Sequence, residues 1–313
     1  MLNRHSLRHA VKIFARRRIF RNRSVGGRSG LIMRTASIQW DMQRPASAEA
    51  FFERAAFFVE TAVADYAAHV VVFPEYFTLP LLSLGPRRRA MDSIRALATQ
   101  TPEVTQVMAD LARHHRVWIV AGSQPVVRDG TLFNIAFIHG PDGELHEQAK
   151  LHITPWERHA WDVRGGNELV VVDTGLVKFG VQICYDVEFP EPSRVLAERG
   201  IELLLVPYCT DDRRGHLRVS RCAMARAIEN QIAVVTAGCI GTLTRVPAAN
   251  LHYARSAAYT PVDLAFPPEG IAAEADPAVE QLLMAELDLA ALRGSRGDGT
   301  VTPLKDRRRD LFR

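Results

Sequence analysis

Short apolar runs of strand length alternate along this chain with longer stretches in which apolar positions recur every three to four residues. The segment Met33-Arg-Thr-Ala-Ser-Ile-Gln-Trp40 alternates and predicts a first strand over roughly 34–40. Helical spacing then runs from Ser47 to Ala68, and the Ser47 hydroxyl suits an N-cap. An apolar run at 69–73 ends at Pro74-Glu75. A second helix is predicted over 101–115, with Thr101 as cap and Pro102 at its first position. The strand-like stretch 117–123 follows. Segments at 132–138 and from Glu144 flank Pro141-Asp-Gly143, whose turn chemistry predicts an antiparallel hairpin.

The stretch 177–183 alternates cleanly, with Val177, Phe179, Val181 and Ile183 on one face and Lys178, Gly180 and Gln182 on the other. Extending that period puts Cys184 on the less apolar face. A helix over Glu191–Arg199, stopped by Gly200, follows at once. Cys184 is therefore expected at a strand-to-helix junction, with its side chain exposed at a sheet edge. A strand (201–206), a helix (217–230) and a strand (232–237) come next, and 253–288 reads as strand-rich around the turn Pro267-Pro-Glu-Gly270. This order predicts an α/β fold. With no internal repeat and no linker-like interior, one domain over 31–290 is expected, preceded by a basic extension (1–30) and followed by a tail (291–313).

A chain of 313 residues with 47% hydrophobic content can bury a large core. Its formal charge of +4 is unevenly placed: residues 1–30 hold eight arginines, Lys12 and no carboxylate, or +9. The remaining 30 basic side chains face 35 acidic ones, so the body carries −5. The extension reads as a disordered tail, an over-long start or a presequence-like targeting segment, and nucleic-acid contact is the weaker alternative. Four cysteines without close pairing argue against a disulfide framework and for a reducing, cytoplasmic setting. No Cys-x-x-Cys or His/Cys cluster suggests a metal. No apolar run approaches the roughly 18–20 residues needed to span a bilayer.

Three side chains stand where a strand pattern runs out: Glu75, Lys150 and Cys184. Singly, each has an ordinary reading as a loop glutamate, a surface lysine and an inert core thiol. Together they form a complete chemical set. A thiol needs a nearby base or positive charge to become a nucleophile. Glu75 can supply the base, and the Lys150 ammonium can favour the thiolate. When sulfur adds to an amide carbonyl, Lys150 and the backbone amide of Tyr185 can hold the charge that develops on oxygen.

The segments Phe73-Pro-Glu-Tyr76, Lys150-Leu-His-Ile-Thr-Pro155 and Gly180-Val-Gln-Ile-Cys-Tyr-Asp-Val-Glu-Phe-Pro-Glu191 resemble, in order, the three catalytic motifs of the nitrilase (carbon–nitrogen hydrolase) superfamily. The later Ala225-Arg-Ala-Ile-Glu-Asn-Gln231 resembles a helix typical of that family, and the likeness covers about 33–290. The resemblance implies a four-layer α-β-β-α sandwich, a Glu-Lys-Cys triad, no cofactor, and homodimers or larger homo-oligomers. Tyr185-Asp186 after the nucleophile resembles amidases, ω-amidases and carbamoylases, whereas nitrilases usually show Trp-Glu, so a small-molecule amide is the expected substrate. The run from Lys150 to Glu157 is similar to a bacterial subgroup often fused to an N-acetyltransferase domain. Glu157 best matches the family's second glutamate, which positions substrate and holds the lysine. Its alternative is a loop residue paired with Arg158.

The segment Tyr208-Cys-Thr-Asp-Asp-Arg-Arg214 corresponds to a stretch bordering the substrate site, which makes Tyr208, Thr210 and Asp211 candidates. Asp211 and Asp212 would select a cationic amide, or pair with Arg213 and Arg214. Trp156 and Trp161 line an entrance or simply pack, and Cys209, Cys222 and Cys239 read as small buried apolar residues. On the same fold, carbamoylase, nitrilase and acyl-transfer chemistry remain open. From another class, so does a non-catalytic module whose basic tail contacts nucleic acid.

Overall fold

The computed structural model describes residues 31–247 and 249–311. The basic extension 1–30 lies outside the described residues. Eleven strands carry the layered core: β1 (Ile32–Asp41), β2 (Val70–Val72), β3 (Trp118–Val120), β4 (Gln124–Arg128), β5 (Thr131–His139), β6 (Leu145–Ala149), β7 (Val163–Arg164), β8 (Val171–Asp173), β9 (Lys178–Val181), β10 (Leu203–Tyr208) and β11 (Ala233–Thr242). Nine of them run in the hydrogen-bonded order β4-β5-β3-β2-β1-β11-β10-β9-β8, and β6 and β7 each pair with β5. The path is continuous only because β1 and β11 share a short parallel register at Trp40–Cys239 and Asp41–Ile240. On either side of that seam the sheet folds into two halves.

Alternation along single strands shows how the halves stack. In β2, Val71 packs into the core beneath helices α1 (Ala48–Ala64) and α3 (Thr101–His115), while Val70 and Val72 turn to the opposite face and meet Phe179, Leu204 and Val206 of the second half. Ile119 and Val120 of β3 divide in the same way. Beyond the second half, helices α5 (Pro190–Glu198) and α6 (Arg213–Asn230) bury Leu196, Val219, Ala223 and Ala227. The four layers are helix, sheet, sheet and helix, as expected. Each fully buried valine on such a face contributes roughly 1.5–3 kcal/mol of transfer free energy, and the Val-rich strands are apolar on both faces because both are covered.

Ser47 caps α1, its hydroxyl accepting from the Ala50 amide at 3.1 Å. That helix stops at Ala64, short of Ala68, because Ala67 turns into the left-handed region (φ 52°). Thr101 is inside α3 and is not its cap: its hydroxyl donates to the Pro125 carbonyl at 2.7 Å. Helix α2 (Ala90–Ala98) and strand β4 went unpredicted; α2 is only nine residues long, with Ser93, Ile94 and Leu97 on its buried face. Strands β12 (Leu251–His252), β13 (Ala257–Tyr259), β14 (Ile271–Glu274) and β15 (Gln281–Asp288) follow, with β15 running antiparallel to β1 along its length.

The expected boundary between 290 and 291 falls inside a helix, α7 (Leu289–Asp298). Asp288 caps it, Leu289 and Leu292 are buried, and Arg293 pairs with Glu202 at 2.6 Å, so the segment after 290 begins packed on the body. Among the described residues no helix is long and apolar enough to cross a membrane, and no group of three or more candidate ligands is arranged for a metal ion.

Candidate active site

Glu75 leaves the end of β2 through Phe73 and Pro74 and forms a single parallel bridge with Ser123. Behind it, Trp40, Phe51, Phe58, Phe73 and Phe77 meet at ring-centroid distances of 4.8–6.0 Å. This wedge of aromatic side chains fixes where the strand ends. Gly122 lets the neighbouring strand approach: it is left-handed (φ +54°), and a Cβ there would lie 1.9 Å from the Pro74 carbonyl oxygen. Tyr76, the next residue, is itself left-handed at φ 53°, so the chain turns sharply at the glutamate. The carboxylate faces inward and is buried.

Lys150 follows β6, and its amide donates to Asn134 O on β5 at 2.8 Å, extending that ladder by one rung. Its Nζ donates to Glu75 Oε1 at 2.8 Å and to Glu157 Oε2 at 2.7 Å. Glu157 is placed by a capping box: the Thr154 hydroxyl accepts from the Glu157 amide, and the Glu157 carboxylate accepts from the Thr154 amide at the start of α4 (Pro155–Ala160). Arg158 turns away and donates to Ile153 O, so the alternative pairing with Glu157 does not form.

Cys184 begins a short 3-10 turn that β9 reaches through Gln182 and Ile183, and it adopts φ 51°. A β-carbon-bearing residue pays roughly 1–3 kcal/mol for such a backbone conformation, which persists only where the surroundings impose it. Here Asp186 imposes it: its carboxylate accepts from the amides of Ile183 (3.2 Å), Leu151 (3.1 Å) and His152 (2.7 Å), tying the cysteine turn to the lysine segment. The side chain is not exposed at a sheet edge as expected. It is 6% exposed and is reached through a cavity of about 710 Å³.

Burial pushes the Glu75 carboxyl above its ordinary range, with Lys150 opposing and Glu157 adding to the rise. For Lys150, burial acts to lower the pKa, but Glu157 and Glu75 outweigh it and hold the ammonium well above its usual range. Burial also disfavours the charged form of Glu157, yet the charge and hydrogen bond of Lys150 prevail and keep it ionised. Burial and then Glu75 raise the Cys184 thiol far above its ordinary value despite Lys150. Lys150 does favour the thiolate, as expected, but a cation shared between two carboxylates does not outweigh burial and the Glu75 charge, so the resting thiol keeps its proton.

Glu75, Lys150, Glu157 and Cys184 line one cavity together. Tyr185, Thr210, Asp211 and Trp156 line it too, with Trp156 packed edge-on against Trp161 at 4.7 Å. Tyr208 does not. Its ring is buried behind the site, and its hydroxyl donates to Arg255 O at 3.0 Å while meeting His216 Nδ1 at 3.1 Å. It lies there because inward-facing residues of β10 point into the sheet packing. Asp212 also lines the cavity but caps α6, accepting from the Gly215 amide at 2.8 Å.

Four contributors escaped sequence reasoning. Asn134 donates to Glu75 Oε1 at 2.9 Å, Tyr76 Oη donates to Glu157 Oε1 at 3.3 Å, the Cys209 amide donates to Glu75 Oε2 at 3.0 Å, and Asp186 ties the two segments described above. A lone asparagine between Phe133 and Ile135 in a buried strand was a usable signal for the first. A backbone amide carries none.

The carbon-nitrogen hydrolase family model matches residues 34–296. A probable hydrolase of Bacillus subtilis (strain 168), YhcX, is 38% identical over 285 residues, covering 91% of this chain and 55% of that protein. The chain thus spans about half of that relative's length. An omega-amidase of Danio rerio, NIT2, is 28% identical over 258 residues (80% of this chain, 86% of the relative), and a nitrilase of Pyrococcus abyssi is 29% identical over 254 residues (78% and 86%). Among solved structures, Saccharomyces cerevisiae Nit3 aligns with a TM-score of 0.71 at 24% identity (90% of this chain, 100% of that one). A mutant amidase of Nesterenkonia crystallised with acrylamide aligns at 0.70 and 22% (92% and 98%). At these identities the structures establish the fold.

Proposed function

Because the chain belongs to the carbon–nitrogen hydrolase family, we propose that it hydrolyses a small linear amide through a thioester on Cys184, releasing ammonia or an amine. The observation that carries this reading is the Lys150 ammonium, held at 2.8 Å from Glu75 and 2.7 Å from Glu157 in the cavity that Cys184 lines.

The thiol of Cys184 is neutral at rest, and Glu75, with its raised pKa, is the base within hydrogen-bonding reach of it. Glu75 takes the thiol proton as sulfur adds to the amide carbon, so no free thiolate accumulates. Oxygen gains the charge beside Lys150 and the amide of Tyr185, an early residue of a 3-10 turn whose backbone N–H has no acceptor within the turn. Collapse breaks the C–N bond, and Glu75 returns the proton to the leaving nitrogen. Water, deprotonated by Glu75, then attacks the thioester, and the carboxylic acid departs as Cys184 regains its proton. Glu157 keeps Lys150 charged and fixed throughout, which makes it a positioning residue.

Mass spectrometry of the intact protein during brief exposure to a panel of small primary amides tests this. An adduct of acyl mass that maps to Cys184 and is absent from Cys184→Ala is expected. Turnover by Cys184→Ala, or adducts from nitriles or carbamoyl compounds but from no amide, would overturn it. The hydrolase domain, extended from 31 through the end of α7 at Asp298, and a homo-oligomer belong to the same proposal, and limited proteolysis and light scattering check them in turn. A cytoplasmic location fits a nucleophile that must stay reduced, and the cysteines at 184, 209, 222 and 239 are all free thiols.

A further inference from the structure

Five carboxylates line the cavity, and four of them are already engaged. Glu75 and Glu157 share Lys150. Glu188 pairs with Arg218 at 3.4 Å. Asp212 caps Gly215 and lies 4.0 Å from Arg214. Asp211 alone has no hydrogen bond and no ion pair among the described residues. Its backbone also places it close to the reacting groups. The Cys209 carbonyl accepts from the Cys184 thiol at 3.8 Å and the Cys209 amide holds Glu75, so Asp211 stands two residues from a contact to both groups. Two residues of extended chain span at most about 7 Å.

From this we propose that Asp211 anchors a cationic group at the far end of the substrate, making linear amides with a terminal ammonium the preferred class. The proposal rests on the amide reading above. Asp211 is exposed at the cavity wall and has no counter-ion among the described residues, and the protein packed on its cavity side and then Asp212 raise its carboxyl pKa, so its charge is left uncompensated until a cation arrives. An incoming ammonium neutralises that charge, and the contact discriminates by charge. A carboxylate-bearing amide would instead have to draw Arg218 from Glu188 or Arg214 from Asp212. Asp212 cannot substitute for Asp211, since α6 uses its side chain as a cap.

Three probes with the same four-methylene spacer test the assignment: ω-aminopentanamide, hexanamide and adipic acid monoamide. Their kcat/KM values are measured on the parent protein, Asp211→Asn and Asp211→Lys, and their affinities are measured by calorimetry on Cys184→Ala and Cys184→Ala/Asp211→Lys. In the parent, the cationic amide is expected to exceed hexanamide by about tenfold or more, in line with a charge-assisted contact. Asp211→Asn should collapse that ratio and Asp211→Lys should invert it toward the acidic amide. A merely structural role would not produce the inversion. Equal or better use of hexanamide by the parent, or a ratio untouched by Asp211→Lys, overturns the proposal. The calorimetric arm needs no turnover: if no amide reacts yet the ammonium compound alone binds Cys184→Ala and loses that preference in the double variant, the amide chemistry fails while the anchor stands.

Discussion

The backbone amide of Cys209 donates to Oε2 of Glu75 at 3.0 Å, while Oε1 accepts from Lys150 at 2.8 Å and Asn134 at 2.9 Å. Every donor around this carboxylate points inward, so the side chain must offer acceptors on both oxygens and has one orientation available. A base held in this way meets its proton without searching.

Glu75→Gln should therefore fail twice. An amide nitrogen in either orientation faces a donor, and the side chain can no longer take a proton. A loss of kcat of about 10²–10⁴-fold is expected, together with a lowered melting temperature. Steady-state kinetics and calorimetry on the same preparation check both effects, and near-parent kcat would remove Glu75 from the role of base.

Asp186→Asn leaves the nucleophile untouched but offers one oxygen where the carboxylate accepts from Ile183, Leu151 and His152. Orphaning a buried amide costs about 1–3 kcal/mol, measurable as a shift of the urea midpoint. Because these bonds tie the Cys184 turn to the Lys150 segment, kcat should fall more than KM rises. A midpoint shift with unchanged kcat would mean that Asp186 stabilises without positioning.

The raised Cys184 pKa has a direct signature. Alkylation of the thiol by iodoacetamide needs the thiolate, so its rate should climb with pH through and beyond the ordinary thiol value of 9.0 without levelling off near neutrality. A plateau below that value would show a stabilised resting thiolate. Turnover has the opposite dependence on the acid side: Glu75 acts as base only when ionised, and its pKa is raised, so kcat/KM should begin to fall above the ordinary carboxyl value of 4.5 as pH is lowered.

Gly122→Ala introduces a methyl group onto a left-handed residue and into the Pro74 carbonyl. Backbone strain and overpacking each cost about 1–3 kcal/mol, so thermal unfolding should shift clearly downward. As Pro74 precedes the base, any folded fraction should show reduced kcat. A parent-like melting temperature would mean that this approach of strands is less tight than described.

Much of this molecule was legible from periodicity and residue chemistry. The apolar runs at 69–73 and 177–183 became β2 and β9, and the two positions where those runs end carry Glu75 and Cys184. Short segments such as the nine-residue α2 and the five-residue β4 were not read, because so few residues give a periodic pattern too little length to stand out from the loops around it.

The sequence by itself determined which groups are present, the layering that follows from alternating strands and helices, and the family in whose order the three segments occur. Tertiary structure decided the state of those groups. Lys150 draws the thiol toward its anion as expected, but the fold places it between Glu75 and Glu157 and buries all of them, so burial and the Glu75 charge prevail and the thiol stays protonated. Tyr208 and Asp211 lie three residues apart, yet one is turned into the sheet and the other into the cavity. Charge balance and direction depend on which distant segments converge, and no local pattern encodes that convergence.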